Sequence, residues 1–141
     1  GPIGSGRRMT ELDGVFSKEI VEHGLREFPN ESCGLIAANG DGRPVRVYPM
    51  RNADASPVTY RLDGKEQLRV FEEMEANGWD LWAIYHSHTH SEAYPSETDV
   101  RLAFYPEARY ILVSLADRDR PVIRSFFIRD GEIEEEGLAI A

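Results

Sequence analysis

The sequence predicts an α/β (α+β) domain in which a mostly antiparallel sheet is sandwiched between helices, and three observations carry that prediction. Segments with apolar residues at helical spacing, KEQLRVFEEMEA foremost, alternate with apolar runs of strand length. A polar NGDGR turn separates the runs CGLIAA and VRVYPM, which is the pattern of a hairpin. Near the C-terminus RYILVSL and PVIRSFFI are joined by the charged turn ADRDRP and read as further strands.

Taken in chain order, the first element is a helix capped by Ser17 and running to about Phe28. Ile20, Val21 and Leu25 form its apolar face, and Glu19 lies in its first turn. CGLIAA and VRVYPM follow as the hairpin, with Pro49 marking an edge or a strand end because proline cannot donate to a ladder. VTYRL reads as a further short strand. KEQLRVFEEMEA is the second helix, with Leu68, Phe71 and Met74 as its core residues. DLWAIY, residues 80–85, is short and apolar enough for a buried strand. SETDVRLAF begins a third helix with Ser96 as its cap, ending near Tyr105 before Pro106. After the two last strands, EIEEEG is expected to be a solvated, partly frayed end.

The 141 residues, 41% of them hydrophobic, suffice for one core and are too few for two ordinary domains. Residues 1–8, which open GPIGS, are expected to be a cloning remnant, with Met9 as the native start and 9–141 as a single domain. A formal net charge of −9 opposes nonspecific nucleic-acid binding, which needs basic patches to neutralise phosphates. No run approaches the roughly 18 apolar residues of a membrane span, and no signal-peptide hydrophobic region opens the chain. Cys33 is the single cysteine, so no intramolecular disulfide forms and a reducing cytoplasm is the expected compartment. It opens an apolar run and is read as core rather than as a nucleophile. The sequence leaves a monomer and a homo-oligomer both open.

The stretch HSHTHSEAYPSETD, residues 86–99, carries the chemistry. Side chains alternate faces along a strand, so His86 and His88 at the end of DLWAIY point the same way and can grip one ion. A catalytic zinc site usually has three protein ligands and leaves a fourth position to water. Asp99, in the first turn of the Ser96 helix, is the favoured third ligand. His90 continues the alternation, yet Thr89 to Pro95 reads as loop, which makes His90 a solvent-facing or substrate-facing residue. Glu92 completes the HxHxxxE spacing of the cupin barrels, but a cupin draws a further histidine from a later strand and none follows His90. A water on the metal still needs a proton acceptor outside the ligand set. Glu31, at the helix-to-strand junction in FPNESCGLIAA, is the candidate; local sequence alone would make it an ordinary loop glutamate, and the distant histidine motif raises it.

Glu31, then far downstream His86, His88, a gap of seven residues, Ser96, two residues and Asp99, resembles the complete signature of the JAMM (MPN-plus) metallopeptidases. The resemblance implies a JAMM/MPN-like (cytidine-deaminase-like) fold. It also implies Zn2+ on His86, His88 and Asp99, a water shared with Glu31, and Ser96 stabilising the oxyanion. As a helix cap Ser96 would have its hydroxyl occupied, so its two roles are read as competing. The likeness runs from Val15 to Gly131, and PMRNADASPVTYRLDGKEQL with EAYPSETDV is similar to the small bacterial Mec-type members. Those remove cysteine from the C-terminus of a ubiquitin-like sulfur-carrier protein. The implied substrate is therefore such a carrier, cut after its C-terminal Gly-Gly in cysteine biosynthesis. The competing readings are a deubiquitinase-like isopeptidase and a non-catalytic MPN-type interaction module. Substrate selection is expected from Tyr94 and the segment Ser56 to Leu62.

Overall fold

The computed structural model describes residues 9–141; the expected remnant, 1–8, lies outside the described residues. Its elements in chain order are β1 (Met9–Leu12), α1 (Gly14–Glu27), β2 (Cys33–Ala38), β3 (Pro44–Met50), α2 (Gly64–Ala76), β4 (Asp80–His88), α3 (Glu97–Arg101), β5 (Arg109–Ser114), β6 (Val122–Arg129) and β7 (Glu132–Ile140). The seven strands form one sheet in the order β1-β7-β6-β5-β4-β2-β3. Four of the six pairings are antiparallel, and only β1 with β7 and β4 with β5 run parallel. The expected mostly antiparallel sheet is therefore present, with β3 and its Pro49 at an edge.

The sheet buries both faces. One core gathers Leu35, Ile84, Tyr110, Leu112 and Phe126 under Val70 and Met74 of α2, and the other gathers Ile36, Ala83, Tyr85 and Ile111 under Ile20 of α1. Helices thus lie on opposite faces, as the sequence predicted. β4 is central, hydrogen-bonded to β2 with Cys33 opposite His86 and to β5 with His88 opposite Ser114. Its C-terminal end is the place where an open sheet of this kind presents ligand-binding side chains.

Several boundaries differ from the sequence reading, each for a local reason. α1 starts at Gly14 because Asp13, not Ser17, accepts from the Val15 N–H at 2.8 Å; Ser17 sits inside the helix, donating to the Gly14 carbonyl at 3.0 Å. The buried face of α1 uses Ser17, Ile20, His23 and Gly24, and Leu25 faces outward. On α2 the buried pair is Val70 and Met74, whereas Leu68 is 61% exposed. VTYRL makes only the single bridge Asn52–Leu62 and is loop. α3 ends at Arg101, four residues short of expectation. EIEEEG is no frayed end: it lies in β7, where Glu136 is buried and accepts from Arg109 Nε and Nη2 at 2.8 and 3.0 Å. β7 turns back from β6 through Asp130 and Gly131, both at positive φ, the geometry that a two-residue hairpin needs.

Gly34 shows how tightly β2 packs. A methyl group there would collide with the Tyr48 carbonyl oxygen and the Tyr85 ring. Behind that ring, the Tyr85 hydroxyl meets His23 Nδ1 at 2.7 Å. Burial, aided by Arg26, pushes the His23 imidazole down to about 4. The unfolded chain takes up this proton near pH 6.5 and the folded chain only near 4, so unfolding is favoured as pH drops between the two values. Above pH 6.5 the contribution is constant. The expected result in urea titrations is that wild type loses stability from pH 6.5 to 4 more steeply than His23→Gln. Equal slopes would show that His23 does not titrate in this way.

Candidate metal centre

His86 and His88 occupy alternate positions on β4 and so share one face of the sheet. Asp99 reaches them from the first turn of α3. That turn is fixed by a capping box, in which Ser96 Oγ accepts from the Asp99 N–H at 3.0 Å and Asp99 Oδ2 accepts from the Ser96 N–H at 2.9 Å. The same Asp99 oxygen lies 3.2 Å from His86 Nε2 and 3.0 Å from His88 Nε2, and the two nitrogens are 3.2 Å apart. Three ligand atoms thus form a nearly equilateral triangle.

The triangle fits a metal. Bonds of about 2.0–2.1 Å in tetrahedral geometry separate neighbouring ligand atoms by roughly 3.3–3.4 Å, so a few tenths of an ångström of expansion admits a zinc ion. The protonation pattern agrees. The His88 Nδ1–H is directed at the Glu92 carbonyl oxygen, 2.8 Å away, which leaves Nε2 as the nitrogen able to ligate a metal. Among the described residues His86 Nδ1 is buried without a hydrogen-bond partner, so that ring makes its polar contacts through Nε2. The Tyr60 ring stacks on His86 with centroids 4.3 Å apart and fixes its plane.

The electrostatics follow from burial and these contacts. Burial lowers the His86 pKa against the pull of Asp99. For His88, burial also acts downward, but hydrogen bonds to Asp99 and the Glu92 carbonyl prevail and hold the ring above its ordinary value. Burial pushes Asp99 up, yet its hydrogen bonds to both histidines hold it well below the usual carboxylate range. Glu31 is 5% exposed, and burial pushes its carboxyl up to about 8, with His88 opposing and Asp99 adding to the rise. Its side chain therefore lies within the field of the triangle. It stands outside the three-residue group that could hold a metal.

The rival ligands do not enter that group. His90 is exposed and packs its ring on Phe28 at 5.6 Å between centroids. Glu92 contributes its carbonyl rather than its carboxylate, which points outward 3.9 Å from Arg124. Cys33 is buried, and burial pushes its thiol up to about 12, which suits packing and not nucleophilic attack.

Two further features were not read from sequence as single residues. Asn52, buried at 7% exposure, binds the Glu31 carbonyl through Nδ2 at 3.1 Å, and Ser87, between the histidines, accepts from the Ser32 N–H at 2.8 Å. Ser87 holds the start of β2 against β4, and Asn52 ties the Glu31 peptide to the segment that follows β3. Beside Asp99 opens a cavity of about 370 Å³ walled by Val58, Tyr60, Leu62, Leu102, Phe104 and Tyr105. Much of the segment Ser56 to Leu62 does line this cavity. Tyr94 does not; it packs on Phe126 with ring centroids 5.4 Å apart.

Comparison with known proteins bears on this geometry. The model of the prokaryotic homologs of the JAB domain (Prok-JAB) matches residues 16–129, a span that includes Glu31 and Asp99. The chain is similar to the CysO-cysteine peptidase of Mycobacterium tuberculosis, 50% identical over 122 residues that cover 86% of this chain and 84% of that one. It is also similar to a probable TtuB-protein conjugate cleaving protease of Thermus thermophilus, 34% identical over 116 residues, 82% of this chain and 73% of that one. The solution structure of a Desulfitobacterium hafniense protein superposes with a TM-score of 0.84 at 37% identity, covering 94% of this chain and 92% of that one. A JAB1/MPN domain protein from Archaeoglobus fulgidus, at 18% identity and a TM-score of 0.59 over 92% of this chain and 99% of that one, shares the fold. With the signature residues inside the matched span and the sheet of a JAB1/MPN domain around them, the chain belongs to the prokaryotic JAB-domain (JAMM/MPN) family of peptidases.

Proposed function

We propose that this protein is a zinc metallopeptidase that cuts the amide bond after the C-terminal Gly-Gly of a ubiquitin-like sulfur-carrier protein and releases cysteine. The observation that most supports this is the convergence of His86 Nε2, His88 Nε2 and Asp99 Oδ2 to within 3.0–3.2 Å, beside a buried carboxylate that is not one of them. The 50% identity to a CysO-cysteine peptidase supports the choice of substrate. Residues 9–141 act as one domain in this reading, and the buried free thiol suits a reducing cytoplasm and a role in cysteine biosynthesis. Among the described residues no helix is long and apolar enough to cross a membrane.

His86, His88 and Asp99 would hold a divalent ion, which when bound would supply Lewis acidity toward the scissile carbonyl and lower the pKa of water to about 7. Glu31 accepts the proton of the attacking water and hands it to the departing amine. Both transfers call for a carboxylate outside the ligand set, and such help is typically worth about 10²–10⁴ in rate. Ser96 is assigned both roles in this reading. The cap uses the hydroxyl only as an acceptor, so its O–H remains to donate to the developing oxyanion. The cavity beside Asp99 receives the carrier's tail.

Ser96→Ala is expected to lower kcat by about 10²–10³, the range for one oxyanion donor, and to cost about 1 kcal/mol of stability through the lost cap. Steady-state kinetics beside a melting curve separate the two effects. Full turnover with a lowered melting temperature would leave Ser96 as a cap alone. The rival isopeptidase reading draws on the relative named as a conjugate cleaving protease. Rates on the same carrier joined to the α-amine of cysteine or to the ε-amine of lysine distinguish them: faster release of cysteine supports the proposal, and faster release of lysine overturns it.

A further inference from the structure

Glu31 sits at a junction, and its backbone is held from both sides by groups outside the metal triangle. Its N–H donates to the Ser56 carbonyl at 2.8 Å, and its carbonyl accepts from Asn52 Nδ2 at 3.1 Å. On the following residue, the Ser32 N–H donates to Ser87 Oγ at 2.8 Å and the Ser87 N–H to the Ser32 carbonyl at 3.1 Å. With both its peptide groups fixed, Glu31 has little freedom in the direction of its side chain.

Asn52 is the hub of the outer half of this clamp. Its Nδ2 also reaches the Thr59 carbonyl at 2.9 Å and, more loosely, the Ser56 carbonyl at 3.5 Å, while Oδ1 accepts from the Asp54 N–H at 3.0 Å and the Arg61 N–H at 3.1 Å. One buried amide thus closes the loop from Asn52 to Leu62 on itself and ties it to Glu31. A buried amide this fully satisfied serves as a rigid connector, because breaking any one bond strands a desolvated partner. The loop is also docked to the metal strand, since Thr89 Oγ1 donates to the Pro57 carbonyl at 2.9 Å. Asp54, Val58, Thr59, Tyr60, Arg61 and Leu62 of this loop wall the cavity next to Asp99.

We infer that Asn52 is a positioning residue for the reaction: it fixes the Glu31 peptide relative to His86, His88 and Asp99 and so sets the direction of the proton-accepting carboxylate. The inference rests on the peptidase reading for its kinetic consequence and on hydrogen bonds alone for its structural one. Misplacing a reacting group by about an ångström can cost about 10²-fold in rate. Asn52 touches neither the ligand triangle nor the reacting atoms, so the cost falls on turnover and not on metal uptake.

The test uses Asn52→Asp, which keeps size and the Oδ acceptor but loses the donors facing the Glu31 and Thr59 carbonyls, and Asn52→Ser, a milder truncation should the carboxylate variant fail to fold. With zinc-loaded enzyme and a carrier extended by cysteine, kcat is expected to fall by about 10–10²-fold while KM changes by no more than a few-fold and zinc per chain stays at the wild-type level. Unchanged kcat, a rise in KM alone, or a matching loss of zinc would overturn the role. Amide hydrogen exchange decides the structural half without catalysis: the Glu31 amide, bonded to the Ser56 carbonyl of the loop that Asn52 closes, is expected to lose protection in both variants, and retained protection would overturn the clamp. A wild-type enzyme inactive on the cysteine-extended carrier would contradict the substrate reading and leave the exchange result to judge Asn52.

Discussion

Replacing Glu31 with Gln leaves a folded protein that takes up zinc at the wild-type level and loses hydrolysis by a factor of at least about 10²–10⁴. The three atoms that converge on the metal position come from His86, His88 and Asp99, and Glu31 is outside that group, so metal uptake is unaffected. What the amide cannot do is accept a proton. The change is isosteric, and it also replaces a buried ionisable group whose carboxyl is pushed up to about 8 by its surroundings. No charge is stranded by the substitution, so the fold should tolerate it. Elemental analysis of the purified variant and its turnover on a cysteine-extended carrier give the two readouts together. Normal turnover would remove Glu31 from the mechanism, and lost zinc would make it a ligand.

His86→Ala is expected to abolish both metal binding and turnover, with a large cost in stability under zinc-replete conditions. His86 is 1% exposed, stacks against Tyr60, and shares its Nε2 contact with Asp99 and His88. Truncation removes a candidate ligand, leaves a cavity and takes one hydrogen-bonding partner from the partly buried Asp99 carboxylate. Zinc bound only to the native state stabilises by about 2.7 kcal/mol at a free concentration a hundredfold above Kd, and the variant forfeits that increment as well as its packing. Thermal melts of wild type and variant, each with zinc and with chelator, separate the terms. The wild-type melting temperature should drop when zinc is stripped, and the variant should not respond. A zinc-dependent shift in the variant would contradict the assignment.

The metal motif could be read directly because its parts are local. Strand alternation puts His86 and His88 on one face, and a capping signature brings Asp99 onto the first turn of α3 only eleven residues beyond His88. Glu31 could not be read so, since its neighbourhood alone describes an exposed loop; the JAMM signature picked it out, and the contacts that fix it, from Asn52 to its carbonyl and from Ser87 to the adjoining Ser32, are distant in sequence. Asn52 itself carried no signal. Its partners are the Glu31 carbonyl, 21 residues upstream, and backbone groups of the loop from Asp54 to Arg61, and a side-chain amide bonded to backbone leaves no residue pattern to detect.

The same division explains the fold. Hairpins and helices with local patterning were legible, whereas β1 pairs with β7 from the far end of the chain and β7 is held by Arg109 of β5. Acidic alternation in β7 suggested solvent because the arginine that neutralises Glu136 lies 27 residues upstream. The first helix was misplaced by four residues because Asp13 and Ser17 are both competent caps, and only the tertiary position of Gly14, hydrogen-bonded to the Ala141 carbonyl, selects between them.

The most direct test of the central claim is intact-mass measurement of a ubiquitin-like carrier ending in Gly-Gly-Cys after incubation with zinc-loaded enzyme, with chelated enzyme, and with chelated enzyme restored by zinc. Loss of the mass of a single cysteine residue in the first and third reactions, and none in the second, is the predicted result. An unchanged carrier in the presence of enzyme holding stoichiometric zinc would contradict it.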